Sequence, residues 1–418
     1  MSNAAATPPR TRLILGLLLL SYIFNFLDRQ IVAILAIPIK ADLKLSDTQL
    51  GLLGGIAFAA LYSTLAIPLA RLADRRGRVK VIAAAVAVWS GFTALCGVAG
   101  SFTQLFLARM GVGIGEAGGV APSYALISDL VPPARRARAL AIFSLGIPIG
   151  SALGLFFGGW LAQNFNWRTA FVAIGLAGIP VALLIRAVVP ETERSADTGK
   201  VAPLTFAATI ALLARKPSFW LLAFGAAAAS ICGYGFGFWL PRHFLGHLGL
   251  SLTEIGVYFG SIVLIGGMAG IYGGGWVADR LVRTRGVGGN ALVPGIAFLL
   301  CVPLYAAALS TSSLTLAWPL FALPYALSLT WLGPIVSAVQ NLVEPRLRAT
   351  ASSAFLLINN LLGIGFGTFM FGFLSDRLAP HYGDDALRTA LMLGIGFYAL
   401  AGLLCLLAAR RLALDSET

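Results

Sequence analysis

Leu45-Ser46-Asp47-Thr48-Gln49-Leu50-Gly51 returns later in the chain as Leu250-Ser251-Leu252-Thr253-Glu254-Ile255-Gly256. Without a gap, the same register carries Gly55 onto Gly260 and Ala73-Asp74-Arg75 onto Ala278-Asp279-Arg280. A slightly longer register lays Leu130-Val131-Pro132-Pro133 over Leu342-Val343-Glu344-Pro345. It also sets Arg136, Ala137, Ala139 and Phe143 over Arg348, Ala349, Ala351 and Phe355. Two long registers at nearly one offset identify an internal duplication. The duplicated material is apolar: 58% of the 418 residues are hydrophobic and 11% charged, where a soluble domain carries roughly a quarter charged.

A bilayer core needs about 20 apolar residues per helix. Stretches of that length are predicted at 13–36, 49–70, 80–100, 103–129, 139–162, 169–189, 218–241, 253–276, 290–309, 315–341, 350–375 and 387–409. Barrel strands would be half as long and would alternate. The fold class is therefore an all-α membrane protein with 12 transmembrane helices in two six-helix halves. The halves are 1–189 and 218–418, joined by a cytoplasmic linker at 190–217 whose 204–216 portion reads as a helix lying on the membrane surface. Ser46 with Gln49, Ser101 with Gln104, and Ser251 with Glu254 have capping-box spacing at the openings of spans two, four and eight.

The net charge of +13 raises the question of nucleic acid, and its distribution answers it. With the N-terminus in the cytoplasm, 22 of the 30 Lys and Arg residues fall on cytoplasmic segments and six on the opposite face, while Arg29 and Arg109 lie inside spans. This is the positive-inside pattern, and it puts both termini in the cytoplasm. The basic surface faces anionic lipid headgroups; no nucleic-acid partner is expected. The first span is too long and too late for a signal peptide. Cys96, Cys232, Cys301 and Cys405 stand singly in four spans and read as small buried hydrophobes.

Asp28, Arg29, Arg109 and Glu116 lie deep in spans one and four. A charge in hydrocarbon costs from roughly 3 kcal/mol upward, so such residues face a cavity and pair. Arg109 and Glu116 are two turns apart on one face of span four, whereas Asp28 and Arg29 diverge by about 100°. A four-charge cluster between spans one and four follows, and a fixed ion-pair network holding two helices together fits the same residues. His243 and His247 have metal-ligand spacing without a third ligand, so no metal is expected. No Gly-rich loop ends in Gly-Lys-Ser/Thr, so no nucleotide and no other cofactor is expected. No nucleophile–base pair marks an enzyme.

Leu72-Ala73-Asp74-Arg75-Arg76-Gly77-Arg78-Val79-Lys80 resembles the signature loop of the major facilitator superfamily, with Ala70 in place of its first glycine. The second copy, at Gly275–Arg280, keeps the front and loses the later glycine. The resemblance implies the major facilitator fold, a site lined by spans one, four, seven and ten, and a cytoplasmic gate latched by the loop; Asp74, Arg75, Arg78, Asp129, Asp279 and Arg280 are the gate residues. Asn25-Phe26-Leu27-Asp28-Arg29 and Arg109-Met110-Gly111-Val112-Gly113-Ile114-Gly115-Glu116-Ala117 are similar to spinster-like transporters. So are Gly146–Gly154, Trp167-Arg168-Thr169-Ala170-Phe171 and Trp239-Leu240-Pro241.

That likeness implies a secondary active transporter, coupled to protons, that moves lysophospholipids or sphingoid phosphates across a bacterial inner membrane as a monomer. Anion/cation symporters share the Asn-x-x-Asp-Arg pattern, so an organic anion symporter coupled to protons or sodium is the alternative. An uncoupled lipid scramblase or sensor would share the fold. Glu116 and Asp28 are the expected proton carriers: burial disfavours a carboxylate charge while a neighbouring guanidinium favours it. Arg29, Arg109 and Asn25 would form the charged wall of the site. Tyr234, Trp239, Tyr325, Asn359 and Asn360 would form an aromatic and amide wall, suited to an anionic headgroup with an apolar chain. Gly150, Gly154 and Gly158 recur every four residues and should admit a neighbouring helix closely.

Overall fold

The computed structural model describes residues 9–191, 212–344 and 347–416, and among these all regular structure is helical. The predicted surface helix at 204–216 falls mostly outside the described residues, which include its helical end at Leu212–Ala214.

Nine described helical runs are long and apolar enough to cross a membrane. They hold ten of the twelve predicted spans, because Thr350–Leu412 is one run containing two. The other two, spans four and ten, are broken in the middle. Span four is α5 (Phe102–Ala117) followed by α6 (Val120–Leu130); span ten is α13 (Leu314–Ser328) followed by α14 (Pro334–Asn341). Gly118 and Gly119 precede Pro122, and Gly333 precedes Pro334. Proline has no N–H for the bond to the carbonyl four residues back and its ring crowds that turn. Both copies of the duplication therefore break at the same point.

The remaining helices are α1 (Pro9–Leu43), α2 (Asp47–Gly54), α3 (Ile56–Arg76), α4 (Arg78–Cys96), α7 (Pro133–Ser144), α8 (Gly146–Asn164), α9 (Trp167–Val188), α10 (Pro217–Leu248), α11 (Leu252–Arg285) and α12 (Gly289–Ser310). After them come α15 (Arg348–Asn360), a π-helical turn at Leu361–Phe366, α16 (Gly367–Tyr382), α17 (Ala386–Gly394) and α18 (Gly396–Ser416). Ser46–Gln49 and Ser251–Glu254 form complete capping boxes. At the start of α5, Ser101 accepts from the Gln104 N–H, while the Gln104 side chain turns to the Gly100 N–H at 2.8 Å.

Two compact units result: Met1–Leu43 with Ala60–Thr198, and Lys44–Ala59 with Gly199–Thr418. In the first, α1 lies against the small-residue stripe of α8. A side chain on Gly154 would sit 2.6 Å from the Leu27 carbonyl, and one on Gly158 2.7 Å from Ile34. Only glycine permits that approach. The contact fixes which face of α1 turns to α4 and α5. At one end of this unit Asp42 accepts from Arg168 at 2.6 Å and from the Trp167 indole at 3.2 Å, which ties the end of α1 to the start of α9. In the second unit the π-helical turn and α16 pack on α10, where a side chain on Gly367 would sit 2.6 Å from the Ile231 carbonyl.

Candidate functional site

Tyr22, Asn25, Phe26 and Arg29 recur at the spacing of one helical face along α1 of the first unit. Arg29 donates from Nε to Glu116 Oε2 at 2.6 Å, with Glu116 fully buried. The guanidinium plane is clasped by rings: its carbon lies 4.5 Å from the centre of Tyr62 and 5.0 Å from that of Phe26. Cation–π contacts of this kind stabilise a desolvated guanidinium. Glu116 occupies the last turn of α5, which Gly118 and Gly119 end. A helix C-terminus carries partial negative charge and is a poor place for a carboxylate, so the guanidinium is what makes an ionised Glu116 tolerable there.

Asp28, on the adjacent face of α1, is buried and accepts a hydrogen bond from the Thr93 hydroxyl of α4. Arg109 is buried, with its charge felt by Asp28, Glu116 and Cys96. Asn25 is 1% exposed and lies beside Glu116. The structure thus brings Asn25, Asp28, Arg29, Arg109 and Glu116 together between α1, α4 and α5, with two carboxylates matched by two guanidiniums.

Tyr62, Thr93 and Tyr22 were not singled out by the sequence reading. Tyr22 stacks on Phe143 at 4.3 Å, one turn from Asn25. Its position two turns before Arg29 on the same face was the available signal. Thr93 left none, because a hydroxyl in an apolar span bonds its own helix as often as a neighbour.

In the second unit, Asn359 is buried and accepts from the Ser230 hydroxyl at 2.8 Å. Asn360 is partly exposed and opens the π-helical turn, a feature frequent at functional sites. Tyr325 is partly exposed, near Tyr234 and edge-on to Phe259 at 6.5 Å. Trp239 is 1% exposed and donates its indole N–H to the Thr368 carbonyl at 2.9 Å, so it packs α10 on α16 and offers no open face. His243 and His247 stack at 5.0 Å.

The loop between α3 and α4 builds a second constellation in the first unit. Arg78 pairs with Asp129 and reaches Asp74 at 3.4 Å. Glu191, just past the end of α9, accepts from the N–H groups of Val79 at 3.2 Å and Lys80 at 2.9 Å and so caps the start of α4. Gly77, at φ 104°, makes room for that carboxylate: a side chain there would lie 2.6 Å from Glu191 Oε1. Asp74, Arg75, Gly77, Arg78, Asp129 and Glu191 line an open cavity of about 300 Å³. Asp279 and Arg280 lie exposed on α11, with Arg280 over the Trp276 ring at 5.9 Å.

Residues 18–368 match the Major Facilitator Superfamily. The chain belongs to that superfamily. This major facilitator transporter is 36% identical over 398 residues to an MFS-type efflux pump of Mycolicibacterium smegmatis, a match covering 95% of this chain and 92% of that one. It is 28% identical over 417 residues to a sphingosine-1-phosphate transporter of Danio rerio, covering 94% and 82% of the two chains. Among solved structures it is similar to a bacterial homologue of the human lysosomal transporter spinster, in an inward-facing and unoccupied conformation. That likeness has a TM-score of 0.85 at 30% identity, over 98% of this chain and 99% of the other. The transporter is thus a spinster-like, membrane-spanning member of the superfamily.

Proposed function

We propose that this transporter is a proton-coupled secondary carrier of an amphiphilic anionic lipid, a lysophospholipid or sphingoid phosphate, working by alternating access. The observation that carries the reading is the buried Arg29–Glu116 pair. One guanidinium has two possible partners there. While Glu116 is ionised it occupies Arg29; once Glu116 takes a proton, the Arg29 guanidinium can turn to a phosphate, which a guanidinium fork grips strongly. Proton binding and headgroup binding are linked through that shared group, and linkage is what coupling requires. Asp28, held by Thr93 beside the same charges, is the second carrier. The likeness to a sphingosine-1-phosphate transporter and to an efflux pump supports an amphiphile as cargo. Tyr234, Tyr325 and Asn360 are the second unit's candidates for its chain. The basic ends of the helices face the cytoplasm, and the protein works as a monomer in a bacterial inner membrane.

The test is flux of an anionic lysolipid series into proteoliposomes with and without a pH gradient. Glu116→Gln should abolish gradient-driven uptake with the fold intact. Removing methylenes from the chain should weaken binding by up to about 0.8 kcal/mol for each one buried. Unaltered gradient-driven flux in Glu116→Gln overturns the coupling. Affinity independent of chain length points to an organic anion symporter.

A further inference from the structure

The basic end of the second unit gathers four arginines in two pairs. Arg280 and Arg283 stand in the last turns of α11, Arg410 and Arg411 near the end of α18, and all four are exposed. Among the described residues none of the four pairs with a carboxylate. Arg280 lies instead over the Trp276 ring, 5.9 Å from its centre. Asp279, one residue before it, is exposed and meets none of them. Asp415, just beyond Arg411, is engaged with the start of α10, where it accepts from the Ser218 N–H at 2.8 Å.

The helix between these pairs is α12, which packs on both α11 and α18. A side chain on Gly289 would sit 2.8 Å from the Val282 backbone nitrogen, and one on Gly288 2.6 Å from the Ala409 carbonyl. Val282 and Ala409 are the chain neighbours of Arg283 and Arg410, so the two arginine pairs flank the first turn of one helix. Beyond the arginines the three helices turn apolar side chains outward: Tyr272 and Trp276 on α11, Ile296 and Leu300 on α12, Leu403 and Leu407 on α18, all exposed. Tyr272, Trp276 and Arg280 step by four residues, as do Leu403, Leu407 and Arg411. Each arginine therefore tops an apolar stripe on its own helix face. In a bilayer such stripes meet hydrocarbon, and Trp and Tyr lie at the level of the headgroups. The guanidiniums then stand at the level of the phosphates.

Four guanidiniums crowded without a counter-charge repel one another. The complement of this face is a molecule with anionic charge at its head and apolar chains below. We propose that the face formed by α11, α12 and α18 is a docking site for one acidic phospholipid carrying two phosphates, one on each arginine pair, with its acyl chains along the stripe. That lipid is a resident ligand and not cargo. None of its contacts belongs to the cluster of Arg29 and Glu116, so a negative result for Glu116→Gln leaves the site standing.

Native mass spectrometry of the full-length protein in detergent, titrated with cardiolipin, phosphatidylglycerol or phosphatidylcholine, reads the bound lipid. Cardiolipin should be retained as one tight adduct. Phosphatidylglycerol at twice the molar amount, and so at equal charge, should be held more weakly, and phosphatidylcholine least. Arg283→Gln combined with Arg411→Gln should weaken the cardiolipin adduct by roughly tenfold or more. Arg12→Gln combined with Arg186→Gln, which removes two exposed arginines of the first unit, should leave it unchanged. Cardiolipin should also raise the thermal unfolding temperature of wild type and not that of the Arg283→Gln, Arg411→Gln variant. Equal cardiolipin binding in that variant and in wild type would overturn the proposal. So would an equal loss in the first-unit variant, which marks general charge attraction, or phosphatidylglycerol held as tightly as cardiolipin.

Discussion

Asp28, Arg29, Arg109 and Glu116 were legible as a cluster of deep charges because ionisable groups in hydrocarbon are costly unless they pair. Their pairing was not legible. Arg109 and Glu116 share a face of α5, but two turns of helix separate them by roughly 10 Å, beyond direct contact along one helix. The acid therefore meets the guanidinium that packing brings across from α1, which is Arg29 at 2.6 Å. Asp28 is likewise held by Thr93, a residue that no spacing rule selects. Thr93→Val replaces that hydroxyl with a methyl of nearly equal volume and leaves a buried carboxylate short of a donor. It should lower stability by about 1–3 kcal/mol, read as a fall in thermal unfolding temperature in detergent. Asp28→Asn in the same background should recover part of the loss, since an amide carries no charge to satisfy.

Among the helices, the stripe Gly150, Gly154 and Gly158 was readable as a packing surface, and α1 is the helix that uses it. Gly154→Leu should drive α8 off α1 and cost about 1–3 kcal/mol or more, with loss of monodispersity on size exclusion. Gly16→Leu, on the same α1 but with open space around its position, should be tolerated. The loop between α3 and α4 is a matching case. Its Asp74 and Arg78 were visible in the sequence, yet Arg78 is shared between Asp74 and Asp129, and Glu191 arrives as the cap of α4 only because the end of α9 comes back to it. We expect Asp129→Asn to leave Arg78 paired with Asp74 alone and to shift the population toward the state open at that basic end. Spin-label distances across the end, unchanged in the mutant, would remove Asp129 from the gate.

At the scale of the whole molecule, composition and periodicity were enough for the membrane, the helical class and the duplicated plan. The reason is local: hydrocarbon leaves each backbone group no partner except its own helix or a closed barrel, and bilayer thickness sets the segment length. The breaks in spans four and ten also follow from local glycine and proline chemistry, and they recur because the plan is duplicated. Other features depended on approach between helices distant in sequence. The duplication places Lys44–Ala59 in the first repeat, while its packing places it with the second unit, through contacts at backbone distance to α16 and through the Asp376 carboxylate, which accepts from the Asp47 and Thr48 N–H groups. Which carboxylate meets which guanidinium, and which helix start a distant acid closes, were decided in the same way. A hydrogen bond needs its atoms within about 3 Å, and only the folded chain brings residues such as Asp47 and Asp376 within that range.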